Sequence, residues 1–318
     1  MLTLMPVDKV EITVLVDNVI DFQAGRGRED VKPPASQRET NEEVNWLWAA
    51  HGFSALVRLE SQDNHELVLY DTGQSGDVLG HNINALGVDI SQVRNLVISH
   101  GHFDHTGGIP WVLDATERKR IFFSAHPRAL GSHSVYDGET RRVFPTGVRM
   151  SEQELRDRCE EVHLTRTPLL IAQDQLLVTG EVQRTTEYER GFKGHQVLVD
   201  GKWTDDDSVI EDMAIVAKVA DRGLVIISGC SHAGIINIIR QAQRLTDEKR
   251  VLGVIGGLHL IGRNQEIIPQ TVRDLSEIRP GMIVPCHCTG WAAQTAIATN
   301  LPQAFVNGSV GTRYIFSA

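Results

Sequence analysis

Short apolar stretches recur along this chain, most of them rich in β-branched residues and closed by a glycine, proline or small polar residue. Val10-Glu11-Ile12-Thr13-Val14-Leu15-Val16 alternates apolar and polar positions at its start, the pattern of a strand with one buried face. The same reasoning predicts strands over 54–59, 67–70 and 95–99, with helices over 74–85 and 108–117 between and after them. A strand over 121–124 follows, closed by Ala125-His126-Pro127, where His126 reads as a structural residue at a proline turn. The last third is equally patterned. Strands over 213–219 and 224–228 flank Ala220-Asp221-Arg222-Gly223 as a hairpin, apolar residues at helical intervals span 235–245, and strand 251–255, helix 270–278 and strand 282–284 complete the series. Alternating strands and helices in two groups define an α/β class.

Between them, residues 128–212 are irregular, charged and punctuated by glycine. We read one domain over 1–318 with an insertion or cap at about 128–212, because structureless stretches of this length inside a compact domain tend to carry function. His133, Arg141, Arg142, Arg184 and Tyr188 are its candidate substrate groups, although each taken singly reads as solvated surface.

The chemistry is concentrated in His100-Gly101-His102-Phe103-Asp104-His105, four ligand-type side chains directly after the apolar run Leu96-Val97-Ile98-Ser99. Imidazole nitrogen and carboxylate oxygen suit zinc, iron and manganese, and the lack of cysteine here argues against a closed thiolate site. If the chain stays extended, His100 and His102 share a face. Asp104 and His105 then enter a turn, with Thr106-Gly107-Gly108 as the helix start, and can swing toward a second ion. Three later strands end in the same manner, each presenting a histidine after glycine or proline: Gly229-Cys230-Ser231-His232, Gly256-Gly257-Leu258-His259 and Pro285-Cys286-His287.

The first run matches the H-x-H-x-D-H signature of the metallo-β-lactamase superfamily, and Leu67-Val68-Leu69-Tyr70-Asp71-Thr72-Gly73 resembles that superfamily's early strand and turn. More narrowly, His51-Gly52-Phe53-Ser54, the three late histidine motifs and Cys286-His287-Cys288-Thr289-Gly290 resemble the branch of 7,8-dihydropterin-6-methyl-4-(β-D-ribofuranosyl)aminobenzene-5′-phosphate synthase-like proteins. The resemblance implies a four-layer αββα sandwich of two mixed sheets. It assigns His100 and His102 to one ion and Asp104 and His105 to another, with His232 and His287 as added ligands and His259 as the rival for either place. His51, Cys230 and His259 are then substrate-binding or supporting groups. The wider pattern's bridging aspartate is not evident. Cys230 or His232 stands near its place, and Asp212, read as a solvated turn acid, is the other carboxylate to watch.

The expected cofactor is zinc, one or two ions, with iron or manganese as alternatives. A divalent ion lowers the pKa of bound water from about 15.7 to about 7, and Asp104 is placed to orient that water or take up its proton. The reading is a metal-dependent hydrolase-type enzyme acting on a small phosphorylated or heteroaromatic, pterin-like substrate. Alternatives are a pterin-type synthase or transferase, an iron-dependent oxidoreductase, and, least favoured, a non-catalytic ligand sensor.

Composition changes this picture only at its edges. A formal charge of −10 opposes nonspecific attraction to nucleic acid or anionic membranes, leaving a small molecule as the expected partner. The pairs Lys119-Arg120 and Arg141-Arg142 read as surface charge. Every apolar run is interrupted well short of the roughly 18–20 residues of a membrane span. Without an export-signal pattern at residues 1–10, a cytoplasmic location is expected. Cys286 and Cys288 are too close in sequence for an ordinary disulfide, and Cys159 and Cys230 have no framework spacing, so free thiols are expected. Oligomeric state is not legible.

Overall fold

The alternating segment near the start becomes the strand Lys9–Val16, and both of its faces are buried rather than one. Val10, Ile12 and Val14 point into one apolar cluster and Leu15 and Val16 into another, the switch falling at a bulge between Val14 and Val16. A sheet covered on both sides explains this. The computed structural model describes all residues except 1, 24–26, 35–45, 63, 117–119, 137–140, 144–149, 192, 200 and 207.

One eight-stranded sheet runs in the spatial order Val31–Lys32, Arg313–Ser317, Lys9–Val16, Ser54–Ser61, Asn64–Tyr70, Asn95–Val97, Phe122–Ala125 and Glu161–Leu164. A second, six-stranded sheet is ordered Leu169–Ile171, Leu176–Val178, Ala214–Val219, Gly223–Ser228, Val251–Gly257 and Met282–Cys286. Each is antiparallel at one end and parallel at the other. Three apolar clusters fill the spaces between four layers. One lies between the sheets, one packs Gly76–Ala85, Ile109–Ala115 and Glu152–Arg158 on the first sheet, and one packs Ile235–Thr246, Ile268–Ile278 and Trp291–Asn300 on the second. The protein is therefore an αββα sandwich, as expected from the sequence resemblance.

Most expected elements form within a few residues of their predicted ends. The exceptions share a cause, since Arg313–Ser317 and Trp291–Asn300 are settled by partners distant in sequence. Arg313–Ser317 pairs with Lys9–Val16, Lys9 lying opposite Ser317. The segment 128–212 does not form one block. Its middle supplies Glu161–Leu164 to the first sheet and Leu169–Ile171 and Leu176–Val178 to the second, whereas His133–Tyr136, Arg141–Val143, His195–Val199 and Lys202–Asp205 form a separate four-stranded sheet.

The parallel strands position the site. Ser228 is paired with Gly256, and Gly257 with Cys286, so the loops following three successive strands emerge side by side. Tyr70, Val97 and Ser124 are aligned in the same way on the first sheet. Tyr70 ties the two sheets together where they meet the site: its buried hydroxyl donates to the Met213 carbonyl (2.7 Å) and accepts from the Gly229 N–H (3.1 Å).

Candidate metal centre

The four ligand-type residues of the first motif do not leave the chain in one direction. His102 is the residue before a short helix, Phe103–Thr106, so the helix begins ahead of Asp104 rather than after Thr106 as the sequence suggested. Adjacent helical residues point about 100° apart. Asp104 accordingly faces His51 and His287, with Oδ2 3.2 Å from each Nε2, while His105 turns inward toward Asp71 and Cys230.

Two lobes result. In the first, ligand atoms of His100, His102 and His232 lie within 4.8 Å of one another. Nitrogens each about 2.1 Å from a shared zinc are separated by at most about 4.2 Å. In the second, Asp104, His51 and His287 meet the same criterion, and His105 Nε2 lies 3.9 Å from Asp104 Oδ2. Cys230 sits between the lobes, grouping with His100 and His105, with His232 and His259, and with His287 and Cys288. It occupies the central position where an aspartate was sought.

The donor set fits a cation. His100 Nε2 and both ring nitrogens of His232 are buried with no hydrogen-bond partner among the described residues, a costly state for polar atoms unless something binds them. Burial, reinforced by neighbouring imidazoles, holds His100, His102 and His232 well below the ordinary histidine pKa, so they are neutral donors. Burial alone would raise Asp104, but His105, His287 and His51 outweigh it and keep the carboxyl well below its usual range. Burial likewise opposes charge on His105, yet Asp71 and Asp104 overcome it and raise the imidazole to about 9. The Cys230 thiol is pushed well above its usual value by burial and by Cys288.

Supporting contacts orient these ligands. Asp71, fully buried, accepts at 2.7 Å from the Ser99 N–H, the Ser99 hydroxyl and His105 Nδ1, leaving His105 Nε2 to face the site. Ser99 Oγ also lies 2.8 Å from His100 Nδ1. Gly229 lets this network approach the second sheet, since a Cβ there would overlap Ser99 Oγ and Asp71 Oδ2. On the other side, Asp17 accepts from the His287 N–H (2.7 Å) and burial raises its carboxyl to about 6.

Other residues depart from the sequence expectation. Asp212 is not a solvated turn acid. It is fully buried, raised to about 7 chiefly by burial, and accepts from the Ala233 N–H (2.9 Å) behind His232. His133 is buried rather than surface, with its ring 5.5 Å from that of His102. Arg184 is half-buried and donates to the carbonyls of Ser208 and His232, while Tyr188 donates to Asp274 (2.9 Å), so both brace the fold. The side chains of Arg141 and Arg142, and Lys119 altogether, lie outside the described residues. His126 is structural as expected, accepting from the Arg128 N–H and lying 3.0 Å from Glu181. All four cysteines are free and buried.

The small sheet adds what the sequence reading missed. His195 lies against His102 and His232, with ring centroids 5.1 and 5.5 Å away, and lines a pocket of about 320 Å³ with Phe103, Val135, Ile261, His102, His232 and His287. Burial lowers it to about 4. No local pattern marks His195, which opens an ordinary alternating strand.

An αββα sandwich with clustered imidazoles at its strand ends defines a class of metal-binding proteins, and comparison agrees. The metallo-β-lactamase superfamily model matches residues 48–187, and the chain belongs to that superfamily. It is 27% identical over 264 residues to the 7,8-dihydropterin-6-methyl-4-(β-D-ribofuranosyl)-aminobenzene-5′-phosphate synthase of Methanocaldococcus jannaschii, covering 81% of this chain and 87% of that protein. An uncharacterised protein of the same organism is 33% identical over 267 residues, covering 83% and 93%. A crystal structure described as a metal-dependent hydrolase of the β-lactamase superfamily superposes with a TM-score of 0.72 at 25% identity, covering 97% of this chain and all of the other. No helix among the described residues is long and apolar enough to cross a membrane.

Proposed function

We propose that this protein is a metal-dependent enzyme with hydrolase-type chemistry, acting on a small phosphorylated or heteroaromatic substrate. The observation that carries this is the pair of ligand lobes opening on one pocket, with unpartnered buried nitrogens on His100 and His232. His100, His102 and His232 would hold one ion, and Asp104, His105 and His287 a second, with Cys230 between them. Zinc is the preferred ion; an iron-loaded protein would point to oxidoreductase chemistry. A bound divalent ion supplies hydroxide at neutral pH and polarises a phosphoryl or carbonyl oxygen.

The chain's own groups do the rest. Asp104, ionised at neutral pH, orients the attacking group by accepting its hydrogen bond, and His51, 3.2 Å from Oδ2 and half exposed on its solvent side, relays the released proton to water. Phe103, Val135 and Ile261 limit water around the reacting atoms. A second reading, group transfer rather than hydrolysis, is supported by the relative named as a synthase over most of the chain. Metal quantification on protein purified without added zinc, with a turnover screen over lactones, phosphodiesters and pterins, tests both. His102→Ala is expected to lose metal and reduce turnover to background; unchanged turnover would refute the assignment.

A further inference from the structure

Two cysteines meet in the metal pocket although their strands do not. Cys230 follows the strand Gly223–Ser228, Cys288 follows Met282–Cys286, and Val251–Gly257 runs between those two strands. Strands separated by a third lie roughly 9–10 Å apart. The sulfurs of Cys230 and Cys288 are nevertheless within 4.8 Å of each other, and the Cys288 thiol donates to the Cys230 carbonyl (3.5 Å). The strand between them ends in the residue that permits this: a Cβ on Gly257 would stand 2.7 Å from Cys288 Sγ and 3.3 Å from Cys230 Cα.

The pair is also held in place. Ser231, next to Cys230, donates its hydroxyl to the Gly257 carbonyl (2.7 Å), and the Thr289 hydroxyl, next to Cys288, accepts from the Leu258 N–H (3.1 Å). Both turns are thus pinned to consecutive residues where the intervening strand ends. The two cysteines are buried, yet both line the 320 Å³ pocket, whereas Cys159 and Cys286 do not. A molecule little larger than water therefore reaches this pair from the metal side. An S–S bond is about 2.05 Å long, so closing it asks the sulfurs to approach by less than about 3 Å, within the reach of side-chain rotation.

We propose that Cys230 and Cys288 form a redox modification site, at which a peroxide oxidises the pair to a disulfide and so withdraws Cys230 from the metal centre. With hydrogen peroxide, one sulfur attacks an oxygen, S–O forming as O–O breaks, and the departing oxygen leaves as water with the thiol proton. The second sulfur attacks the resulting sulfenic sulfur, S–S forming as S–O breaks, and the hydroxyl leaves as a second water with the second thiol proton. Two thiols lose two electrons and the peroxide gains them. The thiolate is the form of cysteine that ligates a metal, so the disulfide removes the donor standing between the two lobes. That consequence rests on the metal-dependent reading above; the disulfide itself does not.

The test starts from metal-stripped wild-type protein, treated with hydrogen peroxide in the presence of a chelator, its thiols then counted after unfolding. The count is expected to fall from four to two, with a proteolytic peptide joining Cys230 to Cys288 that dithiothreitol separates. After the peroxide is removed, zinc competition against a chromophoric chelator should show binding weakened at least about ten-fold, the lower end of what loss of a supporting group costs a metal site, and dithiothreitol should restore it. Cys288→Ser should yield no joined peptide. Four surviving thiols, a disulfide of any other connectivity, or equal zinc affinity of the oxidised and reduced proteins would each overturn the proposal. Connectivity is read on wild-type protein, so the result stands whether or not the variant folds. Failure of the metal reading looks different: the reduced protein would bind no zinc while the joined peptide still forms, which upholds the modification site.

Discussion

Replacing Asp71 by Asn changes one atom of a fully buried group and should disable the metal centre from behind. The native carboxylate accepts three hydrogen bonds of 2.7 Å, two from Ser99 and one from His105 Nδ1. An asparagine oxygen in the Oδ1 place can still take the Ser99 N–H, but its amide nitrogen then stands in the Oδ2 place and meets His105 Nδ1 and the Ser99 hydroxyl as a donor. In the neutral form that can bind a metal, His105 must either lose that contact or carry its one proton on Nε2, the nitrogen lying 3.2 Å from Cys230 Sγ and facing the site. Loss of such an orienting carboxylate typically costs about 10–100-fold in metal affinity, equivalent to about 1.4–2.8 kcal/mol. The metal-free fold should lose about 1–3 kcal/mol for the impaired buried pairing. Zinc competition against a chromophoric chelator measures the first, and denaturant unfolding of the metal-free protein the second. An Asp71→Asn protein that holds zinc with wild-type affinity would refute the orienting role.

Two further outcomes follow from buried polar groups. Tyr70→Phe removes the hydroxyl bridging Met213 and Gly229, leaving a buried carbonyl and N–H unpaired, and should cost about 1–3 kcal/mol in guanidinium unfolding; a change below about 0.5 kcal/mol would show that the bridge is not needed. Glu189 caps the helix Ile235–Thr246 by accepting from the Ile236 and Asn237 N–H groups, both at 2.9 Å, and burial raises its carboxyl from 4.5 to about 7. A raised folded-state pKa means the native state binds the proton more tightly, so this contribution is fully present below about pH 4.5 and fades as pH rises through about 7, by an order of about 3 kcal/mol. Glu189→Gln should flatten that part of the stability–pH curve relative to wild type, and parallel curves would contradict the linkage.

Legibility from sequence tracked how local the cause was. The H-x-H-x-D-H run and the glycine- or proline-closed strands announced His100, His102, Asp104, His105, His232, His259 and His287, because a strand end and its loop are set by neighbouring residues. The two-lobed arrangement needed the helix Phe103–Thr106, whose early start turns Asp104 and His105 apart. Asp71 was visible as a turn residue but not as the acceptor for Ser99 and His105, since those contacts span 28 and 34 positions. Asp212 and His133 looked like surface because charge in an irregular segment usually is, and burial depends on what packs over it.

What the sequence alone determined, then, was the α/β alternation, the family resemblance and the set of ligand-type side chains, all properties of local period and composition. Only the tertiary structure decided which histidines meet. Parallel pairing of Gly223–Ser228, Val251–Gly257 and Met282–Cys286 brings three loops to one sheet end, the facing sheet delivers the first motif opposite them, and the small sheet carries His195 over the top. Such meetings are set by strand register and by the packing of two apolar faces, neither of which any single stretch of chain contains.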